Sequence, residues 1–213
     1  MNPEIPLTWS HAAVSVCTMQ LRELTELAAA WLQLPRLEGF LTKVTIRVAQ
    51  PGRVLLPATS LRHTDTVEPG QENGATVVTR TVTTEGNGDD AVLWRETLHL
   101  TDQSLEVPAP RPGLNEPDDS SEHDRTLTTS NVDDCIAHML SASVSVAVQH
   151  GHTNMKLFRA DVRHALPDGE ETVYVMCKRA PLTTQRKGEL GVKSVAICHG
   201  NLHILGEALF APM

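Results

Sequence analysis

Aromatic side chains are scarce in this chain, with three Trp, three Phe and one Tyr among 213 residues. Aliphatic side chains must therefore fill its core. Long apolar runs are missing as well: Gln20, Arg22, Glu23 and Glu26 interrupt the one long candidate, which leaves no sequence suited to a membrane-spanning helix. No basic residue precedes Arg22, and Pro3, Glu4 and Pro6 open the chain. That start matches neither a secretory signal nor an Arg-rich transit peptide, so a cytoplasmic protein is expected. Cys17, Cys135, Cys177 and Cys198 form no Cys-x-x-Cys pair, and four scattered cysteines make neither a disulfide framework nor a zinc signature. Reduced, mostly buried thiols are expected. Basic residues are outnumbered by 18 to 26, a formal charge of −8, which opposes general binding to nucleic acid or to an anionic membrane. Walker loops, Rossmann glycines and the Gly-x-Ser-x-Gly elbow are also absent, which argues against nucleotide binding and a Ser-His-acid hydrolase.

What the chain does contain is a globular mixture, 40% hydrophobic and 21% charged, rich enough in apolar surface to offset the entropy of ordering. A segment dense in proline and acid, residues 108–125, divides it. Residues 1–107 carry 8 basic and 13 acidic side chains, residues 108–125 carry 2 and 5, and residues 126–213 carry 8 of each. An N-terminal unit (1–107), an exposed linker (108–125) and a C-terminal unit (126–213) are expected.

Both flanks read as a helix followed by strands. In the first, Leu21, Leu24, Ala28 and Trp31 recur at helical spacing, with Arg22, Glu23 and Glu26 on the other side. Strands are predicted over Leu41–Val48, 53–60, 76–84 and 91–100, the last two joined by a Gly-Asn-Gly hairpin at 85–89. In the second, a helix over 131–148 is capped by Ser130 or Asn131, with Asp133 and Asp134 where its dipole favours acid. Strands follow over 155–164, 171–179, 191–198 and 202–210. Antiparallel, half-buried strands after a helix imply an α+β fold in which a sheet curls round a central helix.

The run from Phe158 to Val173, strand, Leu-Pro-Asp-Gly turn and strand, and the closing hairpin from Val195 to Phe210 resemble the hotdog superfamily. With both flanks included, the chain is similar to double-hotdog acyl-CoA thioesterases. The resemblance implies two hotdog units, each a central helix wrapped by antiparallel sheet, and hydrolysis of an acyl-CoA or acyl-carrier thioester held in an apolar slot beside a helix. It implies a carboxylate on the central helix as base or nucleophile, a role that falls to Glu26. Glu26 can also stand in solvent beside Arg22. His150, in His-Gly-His152, and Asn154 would polarise the carbonyl, and Thr183 or Thr184 falls near the hydroxyl position of these thioesterases, Thr184 being taken as the site residue. Lys178, Arg179, Arg186 and Lys187, four cations within ten positions, would meet the phosphates of coenzyme A, although an exposed hairpin tip has the same composition. No metal and no cofactor beyond substrate coenzyme A are expected, and a homo-oligomer can form through the sheets. Incomplete catalytic sets leave a non-catalytic hotdog scaffold as the alternative, with an acyl-thioester dehydratase behind it.

Overall fold

The computed structural model describes residues 11–34 (side chains from 16), 39–49, 51, 61–70, 75–84, 92–111, 121–129 and 131–212. The element order is α1 (His11–Trp31), β1 (Leu41–Val48), β2 (Leu61–Pro69), β3 (Thr76–Thr84), β4 (Val92–Leu100), β5 (His123–Thr129), α2 (Val132–Gln149), β6 (Asn154–Val162), β7 (Glu171–Arg179), β8 (Leu190–Cys198) and β9 (Asn201–Ala211). All nine strands join in one antiparallel sheet of order β2-β3-β4-β1-β6-β9-β8-β7-β5. The order β2-β3-β4-β1 recurs as β7-β8-β9-β6, and β1 pairs with β6 where the halves meet.

Strict alternation produces this sheet, because period-two side chains give each strand one buried row. Val44, Ile46 and Val48 in β1, Val78 and Val82 in β3, and Leu98 and Leu100 in β4 lie inside. The strands of the second half contribute Phe158, Ala196, Ile204 and Phe210. The helix α2 lies on this face and is buried on almost every side, with Ile136, Met139, Leu140, Val144 and Val146 excluded from solvent. Asn131 caps it by accepting the Asp133 N–H at 3.0 Å. The helix α1 packs beside α2, and its Cys17, Leu21, Leu24 and Ala28 are buried.

The structure corrects three expectations. Trp31 is not on the apolar stripe but 45% exposed. The chain turns at Gln33, whose φ is 53°, and Leu32 and Leu34 pack against the core in its place. The second half begins with a strand, β5, that starts inside the segment read as linker and forms the sheet edge against β7. Strand β2 was not expected either, since most of its residues face solvent. The predicted strand over 53–60 and the hairpin at 85–89 fall outside the described residues. Of the 108–125 segment, the Arg111 N–H donates to the His199 carbonyl at 2.7 Å and the Ala109 carbonyl accepts from Asn201 at 2.8 Å. These bonds tie that part of the segment to the β8–β9 turn. Gly200, in that turn, has a φ of 72°, and a side chain there would strike the Arg111 carbonyl.

Candidate functional site

Two charged residues occupy core positions of the sheet. Asp65 in β2 pairs with Arg80 in β3, Arg80 with Glu96 in β4, and Glu96 with Ile46 in β1, a single rung across four strands. All lie on the side facing the helices: Arg80 is 3% exposed and Glu96 is fully buried. The Arg80 guanidinium donates to both Asp65 oxygens at 2.8 and 2.9 Å, and reaches α1 at the Gln20 carbonyl and side chain and at Glu23. This fork geometry is what arginine supplies to a carboxylate, and it holds the guanidinium further into its charged form. Glu96 accepts from the Trp94 indole N–H at 3.0 Å through one oxygen, while the other has no hydrogen-bond partner among the described residues. Burial lifts its pKa to about 8, against the opposing pull of Trp94 and Arg80. Burial therefore favours the neutral form of the Glu96 carboxyl at pH 7.

The rung of the same strand order in the second half has different chemistry. It runs Cys177, Ser194, Gly206 and Ala160, all small, and a side chain at Gly206 would press on Ser194 and on Met139 of α2. One helix thus rests on a polar rung and the other on a tightly packed one.

A second polar cluster forms where α2 ends. Glu122, just before β5, accepts from Arg179 Nε at 2.9 Å, from the Arg179 backbone N–H at 3.1 Å and contacts His150 Nε2 at 2.8 Å. Although burial opposes ionisation, these bonds hold the carboxylate at about 2. His152 bridges the His150 and Gly188 carbonyls, and Lys156 pairs with Glu189. A groove of about 360 Å³ beside this cluster is lined by Glu122, Arg179, Pro181, Gln185 and Leu190. Between the helices, the Thr25 hydroxyl donates to Asp133 at 2.7 Å.

No family model and no curated protein sequence matches the chain, whereas solved structures do. The 12:0-ACP thioesterase from Umbellularia californica superimposes with a TM-score of 0.57 at 11% identity, over 81% of this chain and 75% of that one. The TesB protein of Mycobacterium avium subspecies paratuberculosis gives 0.53 at 10% identity, over 99% and 90%. A conserved protein with a hot dog fold from Alicyclobacillus acidocaldarius gives 0.51 at 11% identity, over 89% and 84%. The chain has a hotdog fold.

Within this hotdog sheet the residues expected to carry chemistry are partly gathered and partly dispersed. His150, Arg179 and the loop bearing Thr184, Arg186 and Lys187 come together at the β7–β8 end, where Thr184, Arg186 and Lys187 are exposed. Arg179 is engaged by Glu122, and Lys178 is exposed next to it. Asn154 donates to the Pro212 carbonyl at 3.1 Å. Glu26 stands elsewhere, on the solvent side of α1. His199, which showed no partner in the sequence, meets Glu171 at 2.9 Å.

Sequence reasoning missed Arg80 and Glu96, although a signal was present. Val78-x-Arg80-x-Val82 and Trp94-x-Glu96-x-Leu98 each place a charge on the apolar phase of a hotdog strand, where an unpaired charge is expensive. The cysteines fit their expectation: all four are free and buried. Burial pushes Cys135 and Cys177 up to about 12, so neither thiol supplies a thiolate at neutral pH.

Proposed function

We propose that this hotdog protein binds and hydrolyses acyl thioesters of coenzyme A or of a carrier protein, with the acyl chain lying beside a central helix. The observation that supports this reading is the fold, shared over nearly the whole chain with a TesB protein and over most of it with an acyl-ACP thioesterase. Two units, the second opening with β5 at His123, fit the repeated strand order on either side of the β1–β6 seam.

In this reading Glu26, open to water on α1, serves as base. Arg186 and Lys187 meet phosphate beside the β7–β8 groove, with Lys178 adding charge and Arg179 bracing the loop through Glu122. His150, Asn154 and Thr184 lie around the same end of the sheet, about 25 Å along α2 from Asp133, which Thr25 beside Glu26 contacts, so they would hold the coenzyme A or carrier arm and not the carbonyl that Glu26 serves. Thiol release from a panel of short to long acyl-CoAs, followed beside calorimetric binding, tests the function. Cleavage with a loss of about a hundredfold or more in Glu26→Ala supports the assigned base. Binding without turnover favours the scaffold, and an active Glu26→Ala enzyme moves the base elsewhere.

A further inference from the structure

A buried carboxyl with one idle oxygen stands among apolar side chains beneath α1. Leu21, Leu24 and Ala28 of α1, and Ile46, Val78 and Leu98 on this and the adjoining rung of the sheet, are buried hydrocarbon. Glu96 is the group that breaks this surface, and its charged neighbours do not quench it. Arg80 is occupied by Asp65, Gln20 and Glu23; Asp65 and Glu23 both disfavour a second nearby negative charge; and Cys17 of α1 is a neutral thiol whose ionisation burial opposes. Buried polar atoms in folded proteins nearly always have a partner, and an unpartnered one marks a position for a water, an ion or a ligand atom. The second half makes the contrast: β9, which holds the place of β4 in the repeated strand order, has Gly206 in its buried row, closed over by Met139 and Ser194.

We infer that Glu96 is a specificity residue that hydrogen-bonds an oxygen carried on an acyl chain admitted between α1 and the sheet, so that hydroxy- or oxo-acyl thioesters are selected over saturated ones. This rests on the thioester reading above and names its substrate class. A saturated chain would bury the Glu96 oxygen against hydrocarbon, whereas a hydroxyl or keto group would satisfy it. A site built around a buried polar group rejects an analogue that lacks the matching group far more strongly than an apolar pocket rejects an added methylene.

The test compares kcat/KM for saturated acyl-CoAs of eight and twelve carbons with their 3-hydroxy, 3-keto and ω-hydroxy derivatives. The expected result is a preference of about tenfold or more for at least one oxygenated chain over its saturated parent. Glu96→Gln, which keeps both a donor and an acceptor, retains that preference, and Glu96→Leu abolishes or reverses it, mainly through KM. Thermal melts of both variants establish that they are folded. Equal use of saturated and oxygenated chains by the natural protein overturns the inference while leaving the thioesterase reading intact, as does a preference that survives Glu96→Leu. If no acyl-CoA is cleaved or bound, both fall together.

Discussion

Arg80 and Glu96 sit opposite one another on β3 and β4, yet no hydrogen bond joins them among the described residues. The guanidinium turns to Asp65 on the far side and up to Gln20 and Glu23 on α1. A cation that pins a helix to a sheet and an acid kept neutral beside it are the two outcomes, and they have separate consequences.

Stability should depend on pH through Glu96. The folded state holds this proton up to about pH 8, whereas an unfolded glutamate releases it near 4.5. Its stabilising share is full below the ordinary carboxylate range and is lost as pH climbs to about 8. The melting temperature is expected to fall between about pH 4.5 and about pH 8, and Glu96→Gln should flatten that slope. Calorimetry across this range checks it; equal slopes in both proteins would show that Glu96 is ionised in the fold.

Arg80 should prove costly to strand. Asp65 is 11% exposed, so Asp65→Ala leaves a buried guanidinium without its main counter-ion, a loss of about 3 kcal/mol or more. Glu23 is 50% exposed, and Glu23→Ala should cost less than about 1 kcal/mol. Urea unfolding of the two variants measures the difference.

Glu122 predicts the opposite behaviour in acid. Its carboxylate, held at about 2 by Arg179 and His150 against the effect of burial, adds stability above the ordinary carboxylate range. That contribution is lost as pH falls toward 2. Glu122→Gln should raise the pH of acid unfolding and speed amide exchange in the β7–β8 loop, which proton-exchange mass spectrometry resolves by peptide.

Gly206 should resist a side chain even though its backbone is an ordinary strand. A methyl group there meets Ser194 and the end of Met139, and overpacking of this kind costs about 1–3 kcal/mol. Gly206→Ala combined with Ser194→Gly should recover part of the loss. A double-mutant cycle by chemical denaturation reads the coupling directly.

Particular elements show how far local pattern reached. Helix α2 and strands β1, β3, β4 and β6–β9 were legible because each buries one face or more, and burial imposes a period of 3.6 or 2 on the residues that form it. Strands β2 and β5 were not, since they form the two sheet edges, where most side chains meet water and no alternation is required. Within the candidate site, the basic loop and His150 could be read from local density. The partner that gathers them, Glu122, lay in a segment that resembled solvent-exposed linker.

The sequence by itself determined the antiparallel α+β plan, the apolar helix faces, the buried inert thiols and the charges on the apolar phase of β3 and β4. These follow from neighbours in the chain, whose spacing decides which side each residue faces. Only the tertiary structure decided that Arg80 would spend its donors on Asp65 and α1, that Glu96 would be left neutral with an idle oxygen, and that Glu122 would join Arg179 to His150. Those contacts link residues 15 to 60 positions apart. Strand register and helix placement, which bring them together, are set by the packing of the whole sheet.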